Sequence, residues 1–510
     1  MANKIYSNRI SEYAGENGGR VLLLFLLFLL ALYELSTAGF SAFATICMIP
    51  FIILFVYALF RWKMLAFWLL ITINYFLTLK DIRLPIPTSL PSEMLELILL
   101  AIAIIDSRQT PHFGRAVNLM LFAIIIWSLF CLLEVFNDSC DLGINVTAWY
   151  IGYRLFAQQL LLILLAFSLY ISSPKILMTY LTIWAFFSLF SAFWTWKQEY
   201  WEFTQAEKLW IETRGRNTHI LNAGTLIRYF SNFDNAASYG CNAASAATAF
   251  IIFGITSKIK KVKLFFLLTS IAVIWGMFQS GTRTAMFCLA AGLIVFIFLS
   301  KSIKIAVPFS ILICILGVLL VFTNIGDGNQ QIRRMRSAFN KDDASANVRD
   351  INKDAIRKYI KDAPWGIGLG IGSDNVPANN KFSRLSSIPP DSEYVYIWIH
   401  TGPIGVSVFT FCMVLIFVGG CYVVLFKLKN KSLGGIGAGL CCAFLSINLG
   451  GYANQVLYGI PNGLIFYGGM AIVYILPYLE PEWEIYEEKC LAEQEEKKRL
   501  KLEKKLASRV

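Results

Sequence analysis

Apolar residues in this chain occur in long unbroken runs, not in the alternating or 3.6-residue patterns of half-buried soluble elements. About fourteen runs read as spans, near 21–38, 40–60, 64–79, 92–106, 116–136, 149–171, 176–196, 236–256, 262–280, 283–300, 303–323, 395–426, 433–452 and 458–479. Each approaches the roughly 20 residues an α-helix needs to cross about 30 Å of hydrocarbon. Two polar stretches are long, 197–235 and 324–391, and loops of that length are commonly functional. The pattern predicts an all-α polytopic membrane protein of about 12–14 transmembrane helices, a single bundle over residues 1–480 followed by a charged tail over 481–510.

The polar residues between runs set an orientation. The loops RWK (61–63), SRQTPHFGR (107–115), SKIKKVK (257–263), KSIK (301–304) and KLKNK (427–431) are basic. The opposite loops NDSCDLGIN (137–145) and GYANQVLYG (451–459) hold no lysine or arginine. Lys and Arg favour the cytoplasmic side, which predicts cytoplasmic termini, long segments on the outer side and an inner-membrane location. The first run continues into the second without a small-residue cleavage site, so no removable signal is expected.

Composition agrees: 57% of the 510 residues are hydrophobic and 15% charged. The net charge of +12 belongs mainly to the short loops, which argues against nucleic acid as a partner. Most of the eleven cysteines lie inside apolar runs, without metal-ligand spacing, and histidines number three, so neither a metal nor another cofactor is expected. The tail blocks EEK, EEKKR and LEKK predict a solvated helix with i,i+4 pairs.

Candidate chemistry gathers in the outer segments. RDINKDAIRKYIKDAP (349–364) places Ile351, Ala355, Ile356, Tyr359 and Ile360 at helical intervals and ends at Pro364, as an amphipathic helix near the membrane face would. Three arginines are expected on that side: Arg228 in LIRYFSNFDNAASYG, Arg283 in the tight hairpin QSGTRTAMF, and Arg349. Arginine there runs against the positive-inside bias. Converging guanidiniums would make an anion site, because the planar fork matches phosphate oxygens and keeps its charge. PWGIGLGIGS (364–373) alternates glycines and reads as a flexible turn or a loop closing on substrate. In SSIPPDSEYVYIWIHTGPIG (386–405), Asp391 sits at the mouth of a span, as an N-cap or a general base. Asp391, Tyr394, Val395 and Trp398 share one helical face; Glu393, Ile397 and His400 share another, with His400 deep enough to be a satisfied buried histidine. EYWEFTQAEKLW (199–210) offers aromatic surface suited to sugars.

In order and spacing these segments resemble the bacterial O-antigen ligase and O-antigen polymerase superfamily, over roughly residues 220–425. The resemblance rests on Arg228 and Asn235 opening a span, Arg283 in SGTRTA, Arg349 leading to Pro364, Gly366, Gly368 and Gly370, and Tyr394 ahead of Gly402 and Gly405. The family's His-Asn slots hold Asp391 and Ser392, a departure that leans the reading toward polymerase. The resemblance implies a GT-C-like, metal-independent glycosyltransferase that polymerises surface-polysaccharide repeats from undecaprenyl-pyrophosphate-linked donors on the periplasmic side. It implies Asp391, Arg283 and Arg349 as catalytic residues and Arg228, Asn235, Tyr394 and Glu393 as substrate-binding residues. The implied partners are the lipid-linked oligosaccharide, an acceptor glycan, membrane lipid and a chain-length regulator. A ligase acting on lipid A core is the alternative within the family, and a transporter of lipid-linked oligosaccharide the alternative outside it. A transporter needs charges at mid-membrane, where charges are sparse, Glu134 and Arg154 foremost. A glycan-binding scaffold without turnover is the third class.

Overall fold

A computed structural model describes residues 18–37, 39–82, 87–106, 113–221, 226–302, 328, 330–336, 344–372, 376–388 and 390–507, with isolated positions between 304 and 323. The chain divides into two compact units, 1–68 and 69–510. The first holds α1 (Gly18–Thr37) and α2 (Phe40–Arg61), packed against each other. Their apolar side chains are exposed along most of both helices, as lipid-facing helices require. A further helix, α3 (Lys63–Phe76), runs from this unit into the next.

The second unit contains α4 (Leu90–Ile105), α5 (Leu119–Leu133), α6 (Val146–Tyr170), α7 (Pro174–Tyr200), α8 (Gln205–Trp210), α9 (Ala236–Thr256), α10 (Lys260–Gln279), α11 (Arg283–Leu299), α12 (Gln330–Arg336), α13 (Ala344–Ile360), α14 (Glu393–Tyr422, continuing to Lys427), α15 (Lys431–Ala453) and α16 (Asn462–Ala507). Among the described residues nine helices are long and apolar enough to cross a membrane, and the two helices flanking Trp62, bent by 111°, pass the same test only as a pair. The protein is an all-α polytopic membrane protein. Helices coincide with thirteen of the fourteen expected runs; the other, 303–323, lies largely outside the described residues.

Polar residues at the run boundaries explain where several helices begin. Asn118, Ser173, Asn235, Ser392 and Asn430 each accept a backbone N–H from the first turn of the helix that follows. Such caps satisfy donors that would otherwise be orphaned. Helix α9 is largely buried. Its sequence AASYGCNAASAATAF is mostly small residues, buried at every position but Ala237, and it packs on α10, α11 and α15. Small side chains let backbones approach closely, which drives helix association in lipid.

Helix α14 is broken near its start. Gly402 has φ +66° and Pro403 follows it. Pro403 has no N–H to offer the carbonyl of Ile399. That carbonyl accepts instead from Ile367 N at 2.9 Å, and the His400 carbonyl accepts from Gly368 N at 3.0 Å. The alternating glycines therefore close on protein backbone. Gly370 likewise lies against Ala148 and Gly152 of α6.

Helix α13 is also held by protein. Ile356 and Ile360 are buried in a small core with Ala148, Ile367, Phe382 and Ile399, whereas Ile351 is exposed. Burying each isoleucine contributes about 1.5–3 kcal/mol. The expected membrane-facing stripe is thus an internal packing face, because the glycine segment folds back beneath it.

At the opposite end, α16 runs without interruption from the last span into the charged tail. Glu480 accepts the backbone N–H groups of Lys429 and Asn430 at 2.7 and 2.6 Å, and buried Glu487 accepts from Lys258 Nζ at 2.7 Å. The start of the tail is therefore clamped to the basic loops rather than wholly solvated. Within the bundle, Arg154 pairs with Glu93 at 3.5 Å and Glu134 accepts from Asn137 at 2.7 Å. Neither charge is unpartnered.

Candidate functional site

The hairpin between α10 and α11, residues 280–282, anchors the site. Thr282 donates its hydroxyl to the Ala236 carbonyl at 2.8 Å, tying the hairpin to the start of α9. Arg228 donates to three groups: Nε to the Ser280 carbonyl at 3.3 Å, Nη1 to the Thr218 carbonyl at 2.9 Å and Nη2 to Thr282 Oγ1 at 3.0 Å. Five guanidinium N–H donors are available, so two are left by these bonds.

A second arginine enters from α12. Arg334 donates Nε to the Gly281 carbonyl at 2.6 Å, and Gln331, one turn earlier, donates to the Ile227 carbonyl at 3.2 Å. The side chains of Arg228 and Arg334 both border the space that a Cβ on Gly281 would fill, at 3.2 and 3.3 Å. Arg283 is the first residue of α11 and immediately follows the hairpin. Burial and repulsion from Arg334, Arg283 and Arg349, in that order, push the Arg228 guanidinium down to about 9, still a cation at neutral pH. Three arginines from three other elements thus fall within electrostatic range of Arg228.

Arg334 is the residue that sequence reasoning missed. The signal was there: QQIRRMR places three arginines in a segment that the positive-inside rule assigns to the outer face. Without a span pattern it could not be placed against the hairpin.

Asp391, two residues before α14, is met by a side chain of α13. Asn352 Nδ2 donates to Asp391 Oδ2 at 3.0 Å, and Asn352 lies one turn after Arg349. The same helix therefore carries an arginine of the cluster and the group that orients the acid. Asp391 is not the cap of α14. Ser392 is, with its hydroxyl accepting from Val395 N at 3.3 Å.

Three expected binding residues have side chains engaged with protein groups. Asn235 uses its side chain to cap α9, accepting from Ser238 N at 2.8 Å. Glu393 is buried and accepts from Leu457 N at 3.0 Å, holding the 454–458 turn. Tyr394 turns toward α15, donating to Asn448 Oδ1 at 3.4 Å, with its ring against Phe409. His400 donates from Nδ1 to the Gly368 carbonyl at 3.0 Å and is buried, a satisfied histidine as expected.

The 197–235 segment has its own polar core. Buried Glu207 accepts from Trp194 Nε1 at 2.9 Å, Gln198 Nε2 at 2.7 Å and Thr204 N at 2.7 Å, and pairs with Lys197 at 3.4 Å. His219 accepts from Ala236 N at 3.1 Å through Nε2. Burial, then the nearby Arg228 charge, push its imidazole down to about 4, so it is neutral and fit to accept.

Residues 264–410 match the family model described as O-antigen ligase. Over this stretch the chain is similar to the O-antigen ligase family. The matched stretch runs from α10 to just past the break in α14 and contains Arg283, Arg334, Arg349 and Asp391. Arg228 lies outside it and joins through the Ser280 and Thr282 bonds. No curated protein matches the chain. The match supports a membrane glycan ligase or polymerase role with glycosyltransferase-like activity.

Proposed function

We propose that the protein is a polysaccharide polymerase of the inner membrane, acting on the periplasmic side with undecaprenyl-pyrophosphate-linked repeat units as donors. The observation that carries this reading is the gathering of Arg228, Arg334 and Arg283 at one hairpin, with Arg349 in electrostatic range of Arg228 on the helix that reaches Asp391.

In this reading the guanidiniums hold the donor's pyrophosphate and stabilise the charge that grows as the sugar–phosphate bond breaks. Their fixed charge supplies the electrostatic role with no metal in the step. Asp391 accepts the proton of the acceptor hydroxyl, the acceptor oxygen forms the new bond to the sugar anomeric carbon, and lipid pyrophosphate departs with the bonding pair. Asn352 holds one carboxylate oxygen, leaving the other for the acceptor. An acid in place of the family histidine favours polymerase over ligase.

The test is chain growth by purified protein given lipid-linked oligosaccharide. Arg283→Ala and Asp391→Asn should each lower product formation at least a hundredfold while the protein stays folded. Full-length product from either variant would refute the assignment. Transfer only to lipid A core would make the protein a ligase.

A further inference from the structure

The ends of α9, α11, α14 and α15 remote from the arginines enclose a cavity of about 440 Å³. Helices α9 and α11 begin at the arginine cluster and end here. Twenty-one residues of α9 make about 30 Å of helix, one hydrocarbon thickness. The cavity therefore lies at the opposite membrane boundary.

Its lining has two characters. Lys258, Lys301, Lys429 and Lys431 supply the charge; Ile255, Phe296, Leu299 and Leu428 supply an apolar wall. Lys258 is engaged by Glu487 at 2.7 Å. Among the described residues, the ammonium groups of Lys301, Lys429 and Lys431 face no carboxylate. Basic residues at a cytoplasmic boundary are expected from topology alone. What topology does not require is that they line a hollow backed by hydrocarbon side chains. Nor does it account for Lys301, whose φ of +50° just after α11 is a conformation glycine adopts at lower cost. A lysine kept at a glycine position on the rim of a cavity points to a use for its charge.

We propose that this cavity binds an anionic phospholipid, its phosphate among Lys301, Lys429 and Lys431 and the start of its acyl chain on the Phe296–Leu299 wall. A neutral lipid would leave the lysines unused, and a free phosphate would leave the apolar wall unused. Glu480 and Glu487 hold the 427–431 loop and Lys258 in place, so the tail helix keeps the site formed.

The full chain, purified in non-ionic detergent, is titrated with phosphatidylglycerol, with phosphatidylcholine of the same acyl chains, and with inorganic phosphate. Thermal unfolding and native mass spectrometry read binding. Phosphatidylglycerol should raise the unfolding temperature and remain bound, and the other two should not. Lys429→Gln with Lys431→Gln should weaken phosphatidylglycerol binding roughly thirtyfold, at about fivefold per charge. Lys301→Gly should raise the unfolding temperature of the lipid-free protein while shrinking the lipid-induced shift, a combination that a purely structural lysine would not give. Equal shifts with both lipids, a shift reproduced by phosphate alone, or an undiminished phosphatidylglycerol shift in the variants would each overturn the proposal.

Discussion

The alternating glycines of 364–373 give a sharp contrast within a single motif. An added Cβ on Gly370 would stand 1.9 Å from the Ala148 carbonyl oxygen, and Gly370 has φ +70°. Ordinary contact begins near 3.4 Å, so α6 or the loop would have to move by about 1.5 Å. The left-handed backbone costs an alanine about 1–2 kcal/mol, and forcing apart packed backbone adds about 1–3 kcal/mol. Gly370→Ala should therefore destabilise by roughly 2–5 kcal/mol. Gly372, two residues on, has no atom within 4 Å of a built Cβ and no left-handed φ. Gly372→Ala should fall within about 0.5 kcal/mol of wild type. Thermal unfolding of the two purified variants, read beside glycan chain growth, decides the matter. Both quantities should drop for Gly370→Ala and neither for Gly372→Ala. If the two variants unfold at the same temperature, the packing account of this segment is wrong. If Gly372→Ala alone loses activity, the segment closes on substrate after all.

Three further outcomes follow from the site. Asn352→Ala removes a hydrogen bond to a carboxylate, worth about 1.5–3 kcal/mol; kcat should fall ten- to a hundredfold with the donor KM unchanged, and a change confined to KM would remove Asn352 from its orienting role. His219 is depressed to about 4 in the folded chain against about 6.5 when unfolded. The stability it confers is present above pH 6.5 and is lost, to about 3 kcal/mol, as pH falls toward 4; His219→Gln should flatten that slope in pH-resolved thermal unfolding, and an unchanged slope would contradict the assignment. Glu207→Gln places an amide where Trp194, Gln198, Thr204 and Lys197 all donate, which should cost about 3 kcal/mol and expose the 197–235 segment to protease; wild-type resistance would count against it.

The spans were legible because a membrane reads only length and apolarity. The break in α14 was half legible: Gly402 and Pro403 announce freed carbonyls, but nothing local says that Ile367 and Gly368 will fill them. The same limit explains the site. Arg228, Arg283 and Arg349 stood out as cations on the side that disfavours them. Arg334 did not, because its place against Gly281 is set by tertiary bonding from a helix of only seven residues. Asn235, Glu393 and Tyr394 were read as binding groups from their position in motifs, and each is taken up by caps and turns that only the assembled helices supply. Ser392, not Asp391, was the better cap, and freeing Asp391 from that duty leaves it available to Asn352.

The uninterrupted course of α16 has a mechanical corollary. Residues 480–507 extend about 40 Å from the end of the last span as one rod. A rigid rod converts a small tilt at its root into a large excursion at its tip: ten degrees would sweep the far end through about 7 Å. The Glu480 and Glu487 clamps oppose that swing, so cutting them should loosen the rod without touching the bundle, and a probe fixed near residue 500 would report on the inclination of the span above it.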